Sequence, residues 1–373
     1  MLSWRLVRGA RIGALGRWLT VVGAAAGTGL LLLSALGWAL GHHQPGTGAG
    51  VRLVWCALPA AAAVLLAATA GLAQPLRWPG AGLAAVGLGR RATVLVGAAS
   101  AALACAGGSG LALLGFLYLR GDLGGGPYSG AVSAVLGAGH RLPPAGVVTL
   151  LAVVPLGAAA AVAVRLWQPP APQPGAGPTG LPWGVALTAV GLAVQVSAPR
   201  GDALPLPSGL GAVSAATVAG WAVASAGMVL AGPGLLHLCG RLLALHRPGA
   251  LRLLAGRTLQ QESRRTGRPL GLLCATATAA LAVHDLQRAS GHRLGPLTTF
   301  AMALVGMCVL AVAGTALAEA AGARTRSATA LREIGAPPSL LRGAAALRTG
   351  VVLAVAVPLT AVVAAFATVP ATR

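Results

Sequence analysis

The stretch Leu331-Arg332-Glu333-Ile334-Gly335-Ala336-Pro337-Pro338-Ser339-Leu340-Leu341-Arg342 lies between two long apolar runs, about Leu297–Glu319 and Arg348–Val369. Its Arg and Glu side chains are expensive in hydrocarbon, so it belongs in water or among lipid headgroups. The runs on either side are each about 20 residues long, the length that crosses roughly 30 Å of hydrocarbon. One basic, amphipathic segment thus marks the surface of a membrane, and its flanks mark the spans. Leu331, Ile334, Leu340 and Leu341 are apolar anchors within a rim of Arg332, Glu333 and Arg342, and Gly335 with the Pro337-Pro338 pair is expected to break the helix between them. A short helix of this kind can dock into a groove on a soluble partner. The plain alternative is a connecting loop whose charges are solvated.

The composition agrees with that reading along the whole chain. Of 373 residues, 56% are hydrophobic and 9% charged, against roughly 25% charged in an ordinary soluble domain; the mean hydropathy is +0.79. The chain is read as an all-α polytopic membrane protein. Aromatic residues are scarce, so the spans are written in Ala, Leu, Val and Gly. The net charge of +21 comes from 27 arginines and no lysine against six acids: Asp122, Asp202, Glu262, Asp285, Glu319 and Glu333. Replacement of every Lys by Arg, with abundant Ala, Gly and Pro, points to a GC-rich bacterial genome. A basic chain can bind nucleic acid, but these arginines flank apolar runs instead of forming one stripe, so no nucleic-acid partner is expected. Cys56, Cys105, Cys239, Cys274 and Cys308 each lie in or beside an apolar run without CxxC spacing. They read as packing residues, with no disulfide framework and no metal.

Nine apolar runs can be marked, at about Trp18–Leu40, Leu53–Ala73, Thr93–Leu119, Gly146–Trp167, Leu181–Ala198, Gly211–Leu238, Pro269–Asp285, Leu297–Glu319 and Arg348–Val369. The first exceeds a signal-peptide core and is read as a retained span. With the N-terminus inside, the inner segments 1–17, 77–91, 165, 241–268 and 324–348 hold twenty of the 27 arginines. The outer side keeps Arg52, Arg120, Arg141, Arg200, Arg288, Arg293 and Arg373. Positive charge is retained on the cytoplasmic side, so a multi-pass protein of the cell membrane with a cytoplasmic N-terminus is expected. Two composition breaks divide the chain. The Pro-rich loop from Gln168 to Pro182 lacks amide donors and reads as a linker. The segment Arg241–Arg268 carries seven arginines, with Glu262 its only acid.

A near-repeat links the two ends. Leu83, Val86 and Gly87 align with Leu331, Ile334 and Gly335, and in both copies one span comes before and another follows. The two copies are read as marking two related modules, 1–167 with about four spans and 241–373 with about three, joined by 168–240 with the Pro-rich loop and two central spans.

The basic segment with Leu-Arg-x-Ile-Gly-Ala, followed by a helix of small apolar residues, resembles the FtsX-like permeases, membrane subunits of one class of ABC transporters. The residues that carry the resemblance are Leu331, Arg332, Ile334, Gly335 and Ala336 with Leu340, Leu341 and Arg342, and in the first copy Leu83, Val86, Gly87, Arg90 and Arg91. The resemblance implies that these are the segments on which a separate ABC ATPase subunit acts, so that ATP is bound only by that partner and no cofactor by this chain. It also implies a four, two and four arrangement of helices. This chain departs from it: the second module ends at Arg373 after three spans, which leaves the C-terminus external, as expected of a truncated chain or a degenerate module. The outer loops Gly41–Gly50 and Leu286–Pro296 are too short for the extracellular domain of many relatives.

No GxxxxGK[ST], GxSxG or HExxH occurs, and no enzyme activity is expected. Asp285 with His284, and Glu319, fall near span ends, where an interfacial acid is the ordinary reading. His42 and His43 read as solvated loop residues. Gly23 and Gly27 have GxxxG spacing, which 55 glycines also produce by chance. Besides a permease subunit, an ion-gradient-driven secondary transporter and a non-transporting membrane scaffold stay open. The partners expected are the ATPase and membrane lipid, and the transported substrate is not specified.

Overall fold

The computed structural model describes residues 2–41, 48–73, 90–122, 141–168, 180–198, 203–205, 212–245, 249–291, 294–333, 335 and 337–372. Nine helices among them are long and apolar enough to cross a membrane. They are α1 (Leu2–Gly41), α2 (Gly48–Ala73), α3 (Arg90–Arg120), α4 (Pro144–Trp167), α5 (Gly180–Ser197), α6 (Ala215–Leu245), α7 (Ala250–Ser290), α8 (Pro296–Glu333) and α9 (Pro338–Thr372). Large apolar side chains such as Leu95, Leu103, Leu156 and Leu310 face outward. Helices apolar on every side are those of a membrane interior, where the backbone satisfies itself within each helix.

The spans depart from their expected ends where the residues give a reason. The sixth begins at Ala215 and not at Gly211, because Ala212–Ser214 pairs antiparallel with Ala203–Pro205 in a small β-ribbon. Ser214 then caps α6: its Oγ accepts the Thr217 amide proton at 3.2 Å. The last three helices run well past the apolar segments on their arginine-rich sides. α7 has 41 residues, about 60 Å at 1.5 Å per residue, twice the hydrocarbon thickness. The basic run 250–268 is therefore helix and not loop, since Arg, Gln and Leu are good helix formers once out of lipid. Pro269 is accommodated inside it.

Contacts divide the chain into two compact units, residues 1–170 with 295–311 and residues 171–294 with 312–373. In the first, α1 packs on α3 through small residues: a Cβ at Gly29 would meet that of Ala112 at 2.7 Å, and one at Gly108 would strike the Val22 carbonyl. Gly23 has nothing within 4 Å, whereas a Cβ at Gly27 would meet Leu304 at 3.0 Å, so within this unit only Gly27 of the pair packs against another helix. Leu33, Phe116 and Val147 form the core, and Ser109 Oγ donates to the Leu151 carbonyl at 3.0 Å, tying α3 to α4. Arg52 of α2 stacks over the Trp38 ring of α1 at 3.8 Å.

In the second unit α6 lies between α5 and α7 with backbone against backbone. A Cβ at Gly191 would meet the Ala224 amide nitrogen at 2.5 Å and the Gly220 carbonyl at 2.7 Å, and one at Gly227 the Gly184 carbonyl at 2.7 Å. Toward α7, Gly240 and Gly256 oppose each other, Gly267 sits on Pro233 of α6, and a Cβ at Gly271 would meet the Met228 carbonyl at 2.5 Å. Lipid supplies no hydrophobic drive between helices, so close packing of small residues takes its place. Met228, Cys274, Ala275 and Val363 form the buried cluster where α9 joins.

Candidate functional site: an ion clasp beside the α8–α9 turn

On the arginine-rich side of the second unit, one carboxylate holds three helices. Arg324 of α8 donates from Nε to Glu262 Oε1 at 2.6 Å and from a terminal nitrogen to Oε2 at 2.9 Å. Arg348 of α9 donates to the same Oε2 at 3.3 Å. The side chains of Glu262 and Arg348 are only 16% and 12% exposed and that of Arg324 33%, so solvent screens the cluster less than it would a surface pair.

The fold brings these residues together in steps. The glycine contacts hold α7 to α6 and leave Glu262 on another face of α7, one residue from the buried Ser263. At the base of α9, Gly343 fits against Leu251 of α7, where a Cβ would come within 2.8 Å of the leucine methyl. One turn and a half further along, Arg348 reaches Glu262. The cluster has two guanidinium groups for one carboxylate and carries a formal charge of +1. Its chemistry is electrostatic attachment, with a surplus that attracts anions.

The α8–α9 turn lies beyond this clasp, nine residues past Arg324 and ten before Arg348, about 15 Å of helix away. α8 ends at Glu333, Gly335 has φ +94°, and α9 begins at Pro338. Glycine takes that left-handed conformation without cost and proline starts a helix well, so the helix break expected at Gly335 and Pro337-Pro338 is present. The expected short docking helix takes a different form. Leu331 and Arg332 belong to the last turn of the 38-residue α8, and Leu340, Leu341 and Arg342 to the first turn of α9. Leu340 and Leu341 are half-buried and Arg342 is exposed, its Nε 3.5 Å from the Pro338 carbonyl. Ile334 and Ala336 lie outside the described residues, as do Leu83, Val86 and Gly87; Arg90 opens α3 and Arg91 follows it, exposed.

The clasp was hidden from sequence reasoning. The available signal was Glu262 as the only acid in a seven-arginine segment, but nothing local names its partners, which lie 62 and 86 residues away. Among the described residues no three His, Cys, Asp or Glu side chains gather as a metal site, and the five cysteines are free thiols.

Fold and site together define an all-α polytopic membrane protein with a charged, helical platform on its arginine-rich side. No family model, curated protein or solved structure matches the chain.

Proposed function

We propose that this protein is the membrane-spanning subunit of an ABC transporter, of the FtsX-like kind, driven by a separate ATPase on the cytoplasmic side. The observation that carries the reading is the clasp. Because Glu262 binds Arg324 and Arg348, a displacement of the turn at Gly335 moves the ends of α7, α8 and α9 together. Coupling between distant sites travels through such contiguous networks of rigid elements. A turn between two long helices that are both clasped to a third is a lever; an isolated solvated loop would dissipate the same push. The Leu-Arg-x-Ile-Gly-Ala pattern at Leu331–Ala336 supports the same reading by resemblance. The ATPase supplies the nucleotide chemistry, and the chain passes the resulting motion into its spans, for substrate export or for force delivered across the membrane.

The test is affinity purification of the full chain from its native membrane. A Walker-motif ATPase is expected to accompany it. Ile334→Asp and Gly335→Pro are expected to reduce both the recovery of that subunit and its ATPase stimulation several-fold, whereas Glu262→Ala leaves recovery intact and lowers stimulation. Undiminished recovery and stimulation in the first two variants, or purification without any ATPase, overturns the reading.

A further inference from the structure

α6 and α7 continue past the membrane as an antiparallel pair, and their lengths give its height. Arg268 and Arg288 of α7 are 20 residues apart, about 30 Å of helix, which is the thickness of the hydrocarbon. Arg268 therefore stands at the arginine-side boundary. Gly267 packs on Gly232 and Pro233 of α6, so α6 crosses the same boundary there. Leu238, Leu242 and Leu245 lie 6, 10 and 13 residues beyond Gly232, at about 9, 15 and 20 Å along the axis. The headgroup layer on each side is only about 5–7 Å deep. All three leucines are exposed, Leu242 by 63% and Leu245 by 72%. An exposed leucine against lipid is ordinary, but a row of them standing in water is a recognition surface.

The row continues a face that already binds a helix. Ala224 and Ala231, seven residues apart, carry α5, because a Cβ at Gly191 would meet the Ala224 amide nitrogen and one at Gly184 that of Ala231. Leu238 and Leu245 extend the same heptad. α5 does not reach them, since it starts at Gly180 beside the Leu230 carbonyl. Two arginines set the charge of this surface. Gly240 and Gly256 oppose each other, so the residues that follow them, Arg241 and Arg257, stand on one side of the antiparallel pair. Both are exposed, and Arg241 is one turn from Leu245. Between Gly232 and Arg268 the only acid is Glu262, which the clasp holds.

We propose that this end of α6 docks an amphipathic helix of a soluble, acidic protein. The apolar stripe of that helix lies on Leu238, Leu242 and Leu245, and its carboxylates lie beside Arg241 and Arg257. A helix is the occupant because the same heptad row holds one, α5, within the membrane. Lipid headgroups do not reach this height, and nucleic acid would leave the leucines unmatched. A second copy of this chain would bring its own arginines, with only Glu262, Glu319 and Glu333 to set against them on this side. The surface stands on height, exposure and charge and does not depend on the transporter reading.

Cysteine footprinting in open membrane fragments of the native host tests it. Leu245→Cys is labelled with a membrane-impermeant maleimide, the unaltered chain giving the background and Leu103→Cys, which faces lipid on α3, the rate of a membrane-buried site. Labelling of untreated fragments is expected to be roughly tenfold slower than after a salt wash, as a partner at about ten times its Kd makes it. The wash is about 1 M KCl, where charges are screened beyond about 3 Å. Adding back the washed-off proteins that an anion exchanger retains at neutral pH is expected to restore protection. Arg241→Glu with Arg257→Glu is expected to give the fast rate without any wash. Leu242→Asp, which leaves both arginines in place, is expected to do the same and keeps the test decisive should the charge reversal fail to fold. Fast labelling of untreated fragments, labelling that stays slow after the wash, protection restored by lipid or nucleic acid instead of protein, or protection that survives these substitutions would each overturn the proposal.

Discussion

Arg324 grips Glu262 with two parallel hydrogen bonds, 2.6 and 2.9 Å long, across 62 residues of chain. The planar guanidinium matches both carboxylate oxygens, a fit that an ammonium group could not reproduce. It joins two helices on the arginine-rich side, and Arg348 brings in a third.

Glu262→Gln should destabilise the chain by about 2 kcal/mol, because two guanidinium groups would then face each other without their carboxylate. Arg324→Gln should cost less, since Arg348 would still neutralise Glu262. Thermal unfolding in detergent measures both. The double variant should show a coupling energy above about 1 kcal/mol; strictly additive losses would mean the pair contributes nothing.

The α5–α6–α7 contact should be intolerant of any added carbon. Gly191→Leu and Gly256→Leu press a side chain onto the opposing backbone and should each cost more than about 2 kcal/mol. Gly23→Ala and Gly110→Ala, which have open space, should leave the melting temperature unchanged or slightly raised. A melt series over these four variants separates packed glycines from incidental ones.

Gly335→Ala should strain the α8–α9 turn, because φ is +94° and the left-handed region costs a residue with a Cβ about 1–2 kcal/mol. There is open space around it, so the cost is conformational alone. Limited proteolysis of the membrane-embedded chain should cut this turn faster in the variant; an unchanged rate would show that the turn relaxes freely.

Orientation is checked by labelling. Ser339 and Asp122 are exposed near opposite ends of spans. In intact cells a membrane-impermeant maleimide should react with Asp122→Cys and not with Ser339→Cys, and in inverted vesicles the reverse should hold. Cys105, Cys274 and Cys308 are buried and should add little background. Labelling of Ser339→Cys from outside would reverse the topology.

The spans were legible because the demand that creates them is local. About 20 apolar residues in a row cross the hydrocarbon wherever their neighbours lie, and runs such as Gly146–Trp167 reappear as α4 almost to the residue. The helix break at Gly335 was legible for the same reason: glycine and proline act on their own backbone. The ends of α7 and α8 were not, because hydropathy falls where Arg257 or Arg324 enters while helix propensity does not. At Ser214 a side-chain cap, which hydropathy does not record, moved the start of α6.

By itself, then, the sequence determined a helical membrane protein, the nine apolar spans found among its described residues, and the place where α8 and α9 part. Only the tertiary structure decided which of 55 glycines are contacts and which partners Glu262 takes. Those are properties of opposed faces: Gly23 and Gly256 are alike along the chain, and differ only in whether another backbone lies against them.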